Sequence, residues 1–535
     1  MTALERRAIA AGVGEEGLME AAGEGMAAVV REWLGPVKGL AVVFVGKGHN
    51  GGDALVVADR LLTAGWRVEL RPAFAEGEGR ALTGNKLQQI RQRAGKSDGG
   101  GLTVADLESR EVPAGRPLLL VDGLLGIGSG GKPRGAVMAG VRTLNALREE
   151  KFARTLALDL PSGLGEGGET VVADLTVTVG WPKSVLFGDE AAGFVGRLAV
   201  VPLEGLEGFF DLERGDGLAG DRTDAAHVGG FPEADREGET GAGGSVGAER
   251  DVLVTLSGLR SVLPRRAGFS KHKGQSGRIG IVAGSRGLTG AARLSAAAAA
   301  AMGGGLVTLF CPREVQDILA ASCPPEVMVR GVRSCAEVMD FPCDVLGVGP
   351  GMGAAPLPLL ASLLRQDPRP MVVDADALNA LAGGAWNGKG PISEKGKRLL
   401  TPHPGELARL MKRMGADPRN GTRRAQAQRL AEESGSVVLA KSARSFVVEG
   451  GRGAAWNATG HPLMARGGMG DVLTGFLATL AGQGVPFYEA AALGSWVLGR
   501  GAELYAASTG WEEPGVATEV MHWAAGQGMR EIRED

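Results

Sequence analysis

The chain is poor in the residues that secreted, metal-clustered or membrane-bound proteins depend on. Only four of its 535 residues are cysteines (Cys311, Cys323, Cys335, Cys343), with no C-x-x-C spacing and no paired histidines beside them. That speaks against a disulfide framework or a zinc-type cluster, and fits reduced thiols in a cytoplasmic protein. Aromatics make up 4 % of the residues against 89 glycines, which suits small-residue helices joined by glycine loops better than a β-sandwich. Charge is nearly balanced, Lys+Arg 58 against Asp+Glu 61, so no nucleic acid or anionic lipid is implied as a bulk partner. The most apolar long stretch, around Leu294 to Phe310, is broken by Gly303, Gly304 and Gly305 and is too short on either side to span a bilayer. The start, Met1-Thr-Ala-Leu-Glu-Arg-Arg, is charged and leads into no apolar core, so a secretory leader is not expected.

What is present is a repeated alternation of apolar strands, glycine loops and helices, over a length that predicts two to four domains. Residues 1–35 carry a helical period. Leu40-Ala-Val-Val-Phe-Val45 reads as a buried strand, followed at once by Gly46-Lys-Gly-His-Asn-Gly-Gly-Asp53 and a helix through Leu62. Gly46, Gly48 and Gly51 satisfy G-x-G-x-x-G, and Glu69 follows at about the 20-residue spacing of a dinucleotide fingerprint. That pattern alone is weak. Two further strands, Leu118–Asp122 and Thr155–Asp159, run into Gly123–Lys132 and Leu160-Pro-Ser-Gly163. Asp53, Asp122 and Asp159 therefore sit where an open parallel sheet holds its ligand, although an acid after a strand can also simply cap the next helix.

Residues 211–250 change character, with Gly215-Asp-Gly, Glu237-Gly-Glu-Thr-Gly-Ala-Gly-Gly and few apolar residues, and read as a linker between domains 1–210 and 251–535. The second domain again alternates strands with helices: Ile279–Ala283, an alanine-rich helix to Met302, Leu306–Phe310, Val345–Val348, Met371–Asp374, Leu399–Leu400 and Val437–Leu439. It closes on Met464-Ala-Arg-Gly-Gly-Met-Gly-Asp-Val-Leu-Thr-Gly475. Glycines ahead of a helix let backbone N–H groups converge on an anion, aided by the helix dipole. Asp471 cannot hold that anion itself, but it can take a proton from a hydroxyl about to attack a phosphate. Arg423, Arg424 and Arg429 read as a solvated helix face, and Lys132 and Arg134 as phosphate contacts or surface charge.

Taken in order, these stretches resemble the bacterial bifunctional NAD(P)H-hydrate repair enzymes, which join an epimerase to a nucleotide-dependent dehydratase. The first half is similar through Gly46–Asp53, Val121-Asp-Gly-Leu-Leu-Gly, Leu158-Asp-Leu-Pro-Ser-Gly163 and Gly180-Trp-Pro-Lys183. The second is similar through His272-Lys-Gly, Gly287–Ala292, Gly349-Pro-Gly-Met-Gly, Asp374-Ala-Asp-Ala-Leu-Asn, Thr401-Pro-His-Pro-Gly-Glu and Gly468-Met-Gly-Asp471. The resemblance implies an α/β protein of two three-layer αβα domains, Rossmann-like then ribokinase-like. Its substrates would be hydrated NADH or NADPH and ADP or ATP with Mg²⁺; the assembly would be a homo-oligomer, binding neither nucleic acid nor membrane.

Carried over residue by residue, K⁺ would lie on Asn50, Asp122 and Ser162. The hydrate would meet His49, Asn50, Gly51, Gly52, Asp53 and the loop Gly126, Ile127, Gly128, Ser129, Gly130, Gly131, Lys132, with Asp159 handling the proton at the hydrated carbon. In the second half Ala292, Gly353, His403 and Asp471 would contact the hydrate, and Lys441, Ser442, Ala443, Arg444, Ser445 and Gly470 the nucleotide. His49, Ala54, Ser442, His461 and Met469 stand where the family usually has asparagine, glycine, glycine, asparagine and threonine. Rival readings are a small-molecule kinase leaving a stable phosphate ester, a dinucleotide-dependent oxidoreductase built on Gly46, Gly48, Gly51 and Glu69, and a non-catalytic binding module in front.

Overall fold

The computed structural model describes residues 14–75, 77–96, 101–113, 117–128, 131–203, 227–228, 251–264, 272–353, 357–510 and 516–534, with Ile9 and Gly12. The chain divides into two compact units, Met1–Ala226 and His227–Asp535. The division falls inside the segment read as a linker, of which only His227 and Val228 are among the described residues.

The first unit is a seven-stranded sheet of β1 (Leu40–Val45), β2 (Arg67–Pro72), β3 (Leu102–Val104), β4 (Leu118–Gly123), β5 (Arg154–Leu158), β6 (Leu175–Val179) and β7 (Arg197–Val201). Their spatial order is β3-β2-β1-β4-β5-β6-β7, every pairing parallel. A parallel strand covered on both faces needs apolar residues at every position, which is why β1 and β4 read as unbroken runs and are buried throughout. Leu40, Val42 and Phe44 turn toward Val141, Leu144 and Leu147 of α4 (Gly135–Lys151). The alternate side chains face the other way, where α2 (His49–Thr63) lies, itself flanked by α1 (Glu15–Leu34) and α3 (Ala81–Lys96). β1 is followed in sequence by a neighbour on one side and in space by β4 on the other. The loops leaving the carboxyl ends of β1 and β4 therefore part and open a crevice.

The second unit is an eleven-stranded sheet built around β10 (Arg278–Val282), β11 (Leu306–Pro312), β12 (Val327–Val332), β13 (Val345–Val348), β14 (Met371–Val373), β15 (Arg398–Leu400) and β16 (Val437–Ala440). Those seven are parallel in the order β12-β11-β10-β13-β14-β15-β16, again reversing beside the first strand of the run. β17 (Phe446–Val448) and β18 (Ala455–Trp456) continue it antiparallel, and β8 (His227–Val228) and β9 (Val252–Leu253) pair at that edge. The alanine-rich helix α5 (Thr289–Ala301) has a purpose here. Its small side chains admit α10 (Met469–Gly482) so closely that a Cβ on Gly475 would lie 2.2 Å from the Ser295 carbonyl oxygen. Close packing of this kind fixes where the N-terminus of α10 points. Among the described residues no helix is long and apolar enough to cross a membrane, and all four cysteines are free.

Candidate active sites

In the first unit the glycine loop after β1 is tied to the end of β4, Gly46 N donating to Gly123 O at 3.0 Å. A Cβ on Gly46 would lie 1.9 Å from the Leu124 oxygen, and one on Gly51 would lie 1.8 Å from that of Gly46. Packing alone thus accounts for two glycines of the fingerprint. Glu69 is spent too: it lies mid-strand, 4 % exposed, with Arg71 Nη2 at 2.6 Å. The oxidoreductase reading loses its acidic residue.

Three other residues converge at the crevice. Asp122, fully buried at the end of β4, accepts from Ser162 N at 2.8 Å, Ser162 Oγ at 2.7 Å and Leu124 N at 3.2 Å. No cation is among these partners, and burial pushes its carboxyl up to about 6 against the pull of those donors. Asn50 donates from Nδ2 to the Leu125 carbonyl at 2.7 Å, while its buried Oδ1 has no hydrogen-bond partner. Above them Asp159 follows β5 with φ +64°, a left-handed conformation that a non-glycine residue adopts at a cost. Its carboxylate accepts from Ile127 N at 3.0 Å and from the ammonium of Lys183. Lys183 is 6 % exposed and also donates to Thr178 Oγ1 at 2.8 Å and Val179 O at 3.1 Å. The half-buried carboxylate is thus held in one place by a buried ammonium.

A cavity of about 810 Å³ opens over these loops. His49, Asn50, Asp53, Gly126, Ile127, Gly128 and Asp159 line it. Gly51 and Gly52 lie beneath, a Cβ on Gly52 meeting the Met19 methyl at 2.3 Å. Gly131 and Lys132 turn elsewhere: Gly131 N donates to Glu166 Oε2 at 2.9 Å, and the Lys132 stem lies beside Gly167 and Gly168. Ser129 and Gly130 lie outside the described residues. Ala54 fits where it stands, its methyl set so closely over Gly123 that a Cβ there would be 2.3 Å away.

In the second unit the loops after β10, β13, β14, β15 and β16 meet the N-terminus of α10. Gly468, at φ +97°, ends the approach, leaving the N–H groups of Met469, Gly470 and Asp471 without intrahelical acceptors. Beside them Lys441 Nζ donates to Asp374 Oδ1 at 2.6 Å. Thr401 Oγ1 donates to the same oxygen at 2.8 Å and Thr474 Oγ1 to Oδ2 at 2.9 Å, so the 2 % exposed Asp374 is fully engaged. A Cβ on Gly470 would be 3.5 Å from that ammonium, which places Lys441 at the open turn. Burial, then the charges of Asp374 and Asp376, push Asp471 up to about 6 against the pull of Lys441.

The flanking loops are braced as well. Gly353 N donates to Asp376 Oδ2 at 2.8 Å, and a Cβ on Gly349 (φ +128°) would lie 1.8 Å from Asp374 O. His403 caps α8 (Pro404–Arg413), its Nδ1 accepting from Gly405 N at 3.0 Å while Glu406 Oε2 accepts from His403 N at 2.9 Å. Burial, then Lys441 and Arg409, hold His403 below the usual imidazole range, and burial pushes Glu406 up to about 7.

Lys441, Gly470, Asp471, His403 and Gly353 thus belong to loops that meet. Ser442 and Ser445 fold their loop on itself, Ser442 N donating to Ser445 Oγ at 3.2 Å, with Ala443 exposed. Arg444 is 4 % exposed, so it offers a ligand at this loop backbone rather than charge. Ala292 is fully buried against Gly284. The solvated face expected of Arg423 and Arg424 is a correction. Arg423 donates to Ala440 O at 3.0 Å and Arg444 O at 2.6 Å, bracing the loop of residues 441–445, and Arg424 Nε pairs with Asp251 Oδ2 at 2.7 Å. Lys183, Asp374, Thr474 and Glu406 all stand in the motif stretches, but only their contacts show what they hold.

A carboxylate paired with a buried ammonium in the first unit, and a glycine turn beside a carboxylate and a lysine in the second, define an enzyme with a separate polar site on each of two α/β units. Residues 15–185 match the family model described as YjeF-related protein N-terminus, and residues 279–520 that described as NAD(P)H-hydrate dehydratase. The bifunctional NAD(P)H-hydrate repair enzyme Nnr of Moorella thermoacetica is 35% identical over 90% of this chain and 86% of its own length. That of Coxiella burnetii is 31% identical over 97% and 96%. An ADP/ATP-dependent NAD(P)H-hydrate dehydratase from Bacillus subtilis, co-crystallized with ATP/Mg²⁺, is 23% identical over 52% of this chain and 97% of its own, with TM-score 0.44. The chain belongs to the family of bifunctional NAD(P)H-hydrate repair enzymes.

Proposed function

We propose that the first unit interconverts the R and S hydrates of NADH and NADPH, and that the second dehydrates the S form at the expense of ADP or ATP. Hydroxide leaves carbon poorly. The second unit makes it leave as phosphate. Asp471 takes the hydroxyl proton as the oxygen attacks the terminal phosphorus of the nucleotide. The amides at Met469 and Gly470, with Lys441, stabilise charge on the transferring group, a contribution of about 3–4 kcal/mol per donor in comparable sites. The C–O bond then breaks with its electron pair on phosphate, the ring nitrogen supplies a pair to that carbon, and loss of the neighbouring proton restores NAD(P)H. AMP (or ADP) and phosphate are released.

In the first unit Asp159 handles the proton at the hydrated carbon, held in place by Lys183. K⁺ suits the oxygen set of Asn50, Asp122 and Ser162: an orphaned amide oxygen and a fully buried carboxylate without a counter-charge are what a hard monovalent cation would satisfy. It would supply fixed positive charge beneath the substrate. Mg²⁺ would ride chiefly on the nucleotide phosphates; among the described residues there is no group of three His, Cys, Asp or Glu to cage it.

The observation carrying this reading is Lys441, pinned by Asp374 at the Gly470 turn next to a base. Incubation with hydrated NADH and ADP or ATP tests it. Recovery of nicotinamide absorbance with free phosphate is expected; a stable phosphorylated substrate would mean a kinase instead. Asp471→Ala removes dehydration and spares epimer exchange, and Asp159→Ala does the reverse.

A further inference from the structure

NADH and NADPH differ by one phosphate, on the adenosine ribose. In an open parallel sheet the end of the second strand reads that position: an acidic side chain takes the ribose hydroxyls, whereas an arginine takes a phosphate. Here Glu69 is removed from consideration by its buried pairing with Arg71. The chain leaving β2 instead brings Phe74 and Arg80 to the cavity wall. Arg80 N donates to Lys47 O at 3.0 Å, which holds this loop against the glycine loop after β1. Arg80 Nη1 lies 2.8 Å from His49 Nε2, and that same nitrogen is 2.8 Å from Glu15 Oε1. One imidazole nitrogen cannot accept from Arg80 and donate to Glu15 together, so the exposed guanidinium is never fully satisfied by His49. It has no carboxylate partner among the described residues, nor do Lys47 and Arg134, which line the same cavity. The nearby Glu78 accepts from Ala75 N at 3.3 Å, closing the loop on itself. The half-buried Phe74 ring rests on Gly79, where a Cβ would lie 2.8 Å from it.

We propose that Arg80, with Phe74 beside it, forms a subsite for the adenosine 2′-phosphate, so that the first unit prefers hydrated NADPH to hydrated NADH. The inference rests on reading this unit as the epimerase and deepens it. β2 neighbours β1, and β1 neighbours β4, so adenosine over β2 and the reacting ring near Asp159 lie at opposite ends of one crevice. A cavity of about 810 Å³ is near the top of the usual range of about 300–1,000 Å³ and is sized for a dinucleotide.

The test uses the full chain with ATP saturating the second unit, titrated calorimetrically with 2′,5′-ADP and 5′-AMP. Wild type should bind 2′,5′-ADP about tenfold tighter than does Arg80→Ala, with Arg80→Lys between them, because a charged guanidinium–phosphate contact is lost. In epimer exchange, the ratio of kcat/KM for hydrated NADPH over hydrated NADH should fall about tenfold in Arg80→Ala. Arg80 is exposed, so folding is not at stake. Unchanged 2′,5′-ADP affinity in Arg80→Ala, or equal use of both hydrates by wild type, overturns the subsite. Arg80-dependent 2′,5′-ADP binding without any epimer exchange supports the subsite and removes the epimerase reading instead.

Discussion

Replacing Lys441 with methionine tests the second site at its most interconnected point. Asp374, 2 % exposed, would lose its only cationic partner among the described residues. An unpaired buried carboxylate costs about 3–5 kcal/mol; the Thr401 and Thr474 hydroxyls stay in place and bring this toward the lower end. Asp471 feels the same loss. It stands at about 6 because burial and two carboxylates outweigh the pull of Lys441. Without that pull it moves up, by about one pH unit. Asp471 must be ionised to take a proton, so raising its pKa shifts the acid limb of dehydration toward alkaline pH, from near 6 to near 7. The plateau falls as well, by about 10²–10³, as for a lost donor at developing charge. The assay is kcat for dehydration between pH 5 and 9 with saturating ATP, the urea midpoint of the second unit serving as the folding control. Adding Asp374→Asn to Lys441→Met removes the opposing charge and should bring the acid limb back. A limb at or below the wild-type position in the single variant would refute the electrostatic argument.

Other expectations concern the first unit. Lys183→Met should lower epimer exchange at least a hundredfold, while dehydration of purified S hydrate continues, because Asp159 loses the ammonium that fixes it; proton NMR of the two epimers reads this. Replacing K⁺ by choline should lower the melting temperature of the first unit, and Asn50→Ala or Asp122→Asn should abolish the difference between the two salts, measured by scanning calorimetry. Equal melting in both salts would remove the cation from Asn50, Asp122 and Ser162.

Much of this was legible where a residue's role follows from its place on a strand. β1 and β4 announce themselves as apolar runs, so the strand ends near which Asn50 and Asp122 lie could be placed from sequence. β6, by contrast, is Leu-Thr-Val-Thr-Val, fully buried with its threonines hydroxyl-bonded inside, and no apolar run marks it. Hence Thr178 within it and Lys183 after it had no sequence-readable partner. Asp374 looked like an acid ending a strand, as Asp122 did; that one holds a lysine and the other a serine depends on contacts across 67 and 40 residues. Arg423 misled for a related reason. Its helix is polar overall, but a guanidinium donating to two loop carbonyls is bound there by geometry that composition does not encode.

The same ambiguity explains why glycine signatures mislead, and it yields a contrast that can be measured. At Gly51 a methyl would sit 1.8 Å from a carbonyl oxygen in the packed end of β1's loop, so Gly51→Ala must displace backbone. At Gly470 it would meet only the Lys441 ammonium at 3.5 Å and Asp374 Oδ2 at 3.6 Å, ordinary contact distances. Gly51→Ala should therefore lower stability by several kcal/mol, as strain at an overpacked site does, visible as an earlier urea midpoint. Gly470→Ala should unfold with wild type yet bind ADP more weakly, because the new methyl narrows the open face where the phosphates approach. Glycine serves packing at one position and access at the other. Should Gly470→Ala bind ADP as wild type does, the turn at the head of α10 would not be where the phosphates lie.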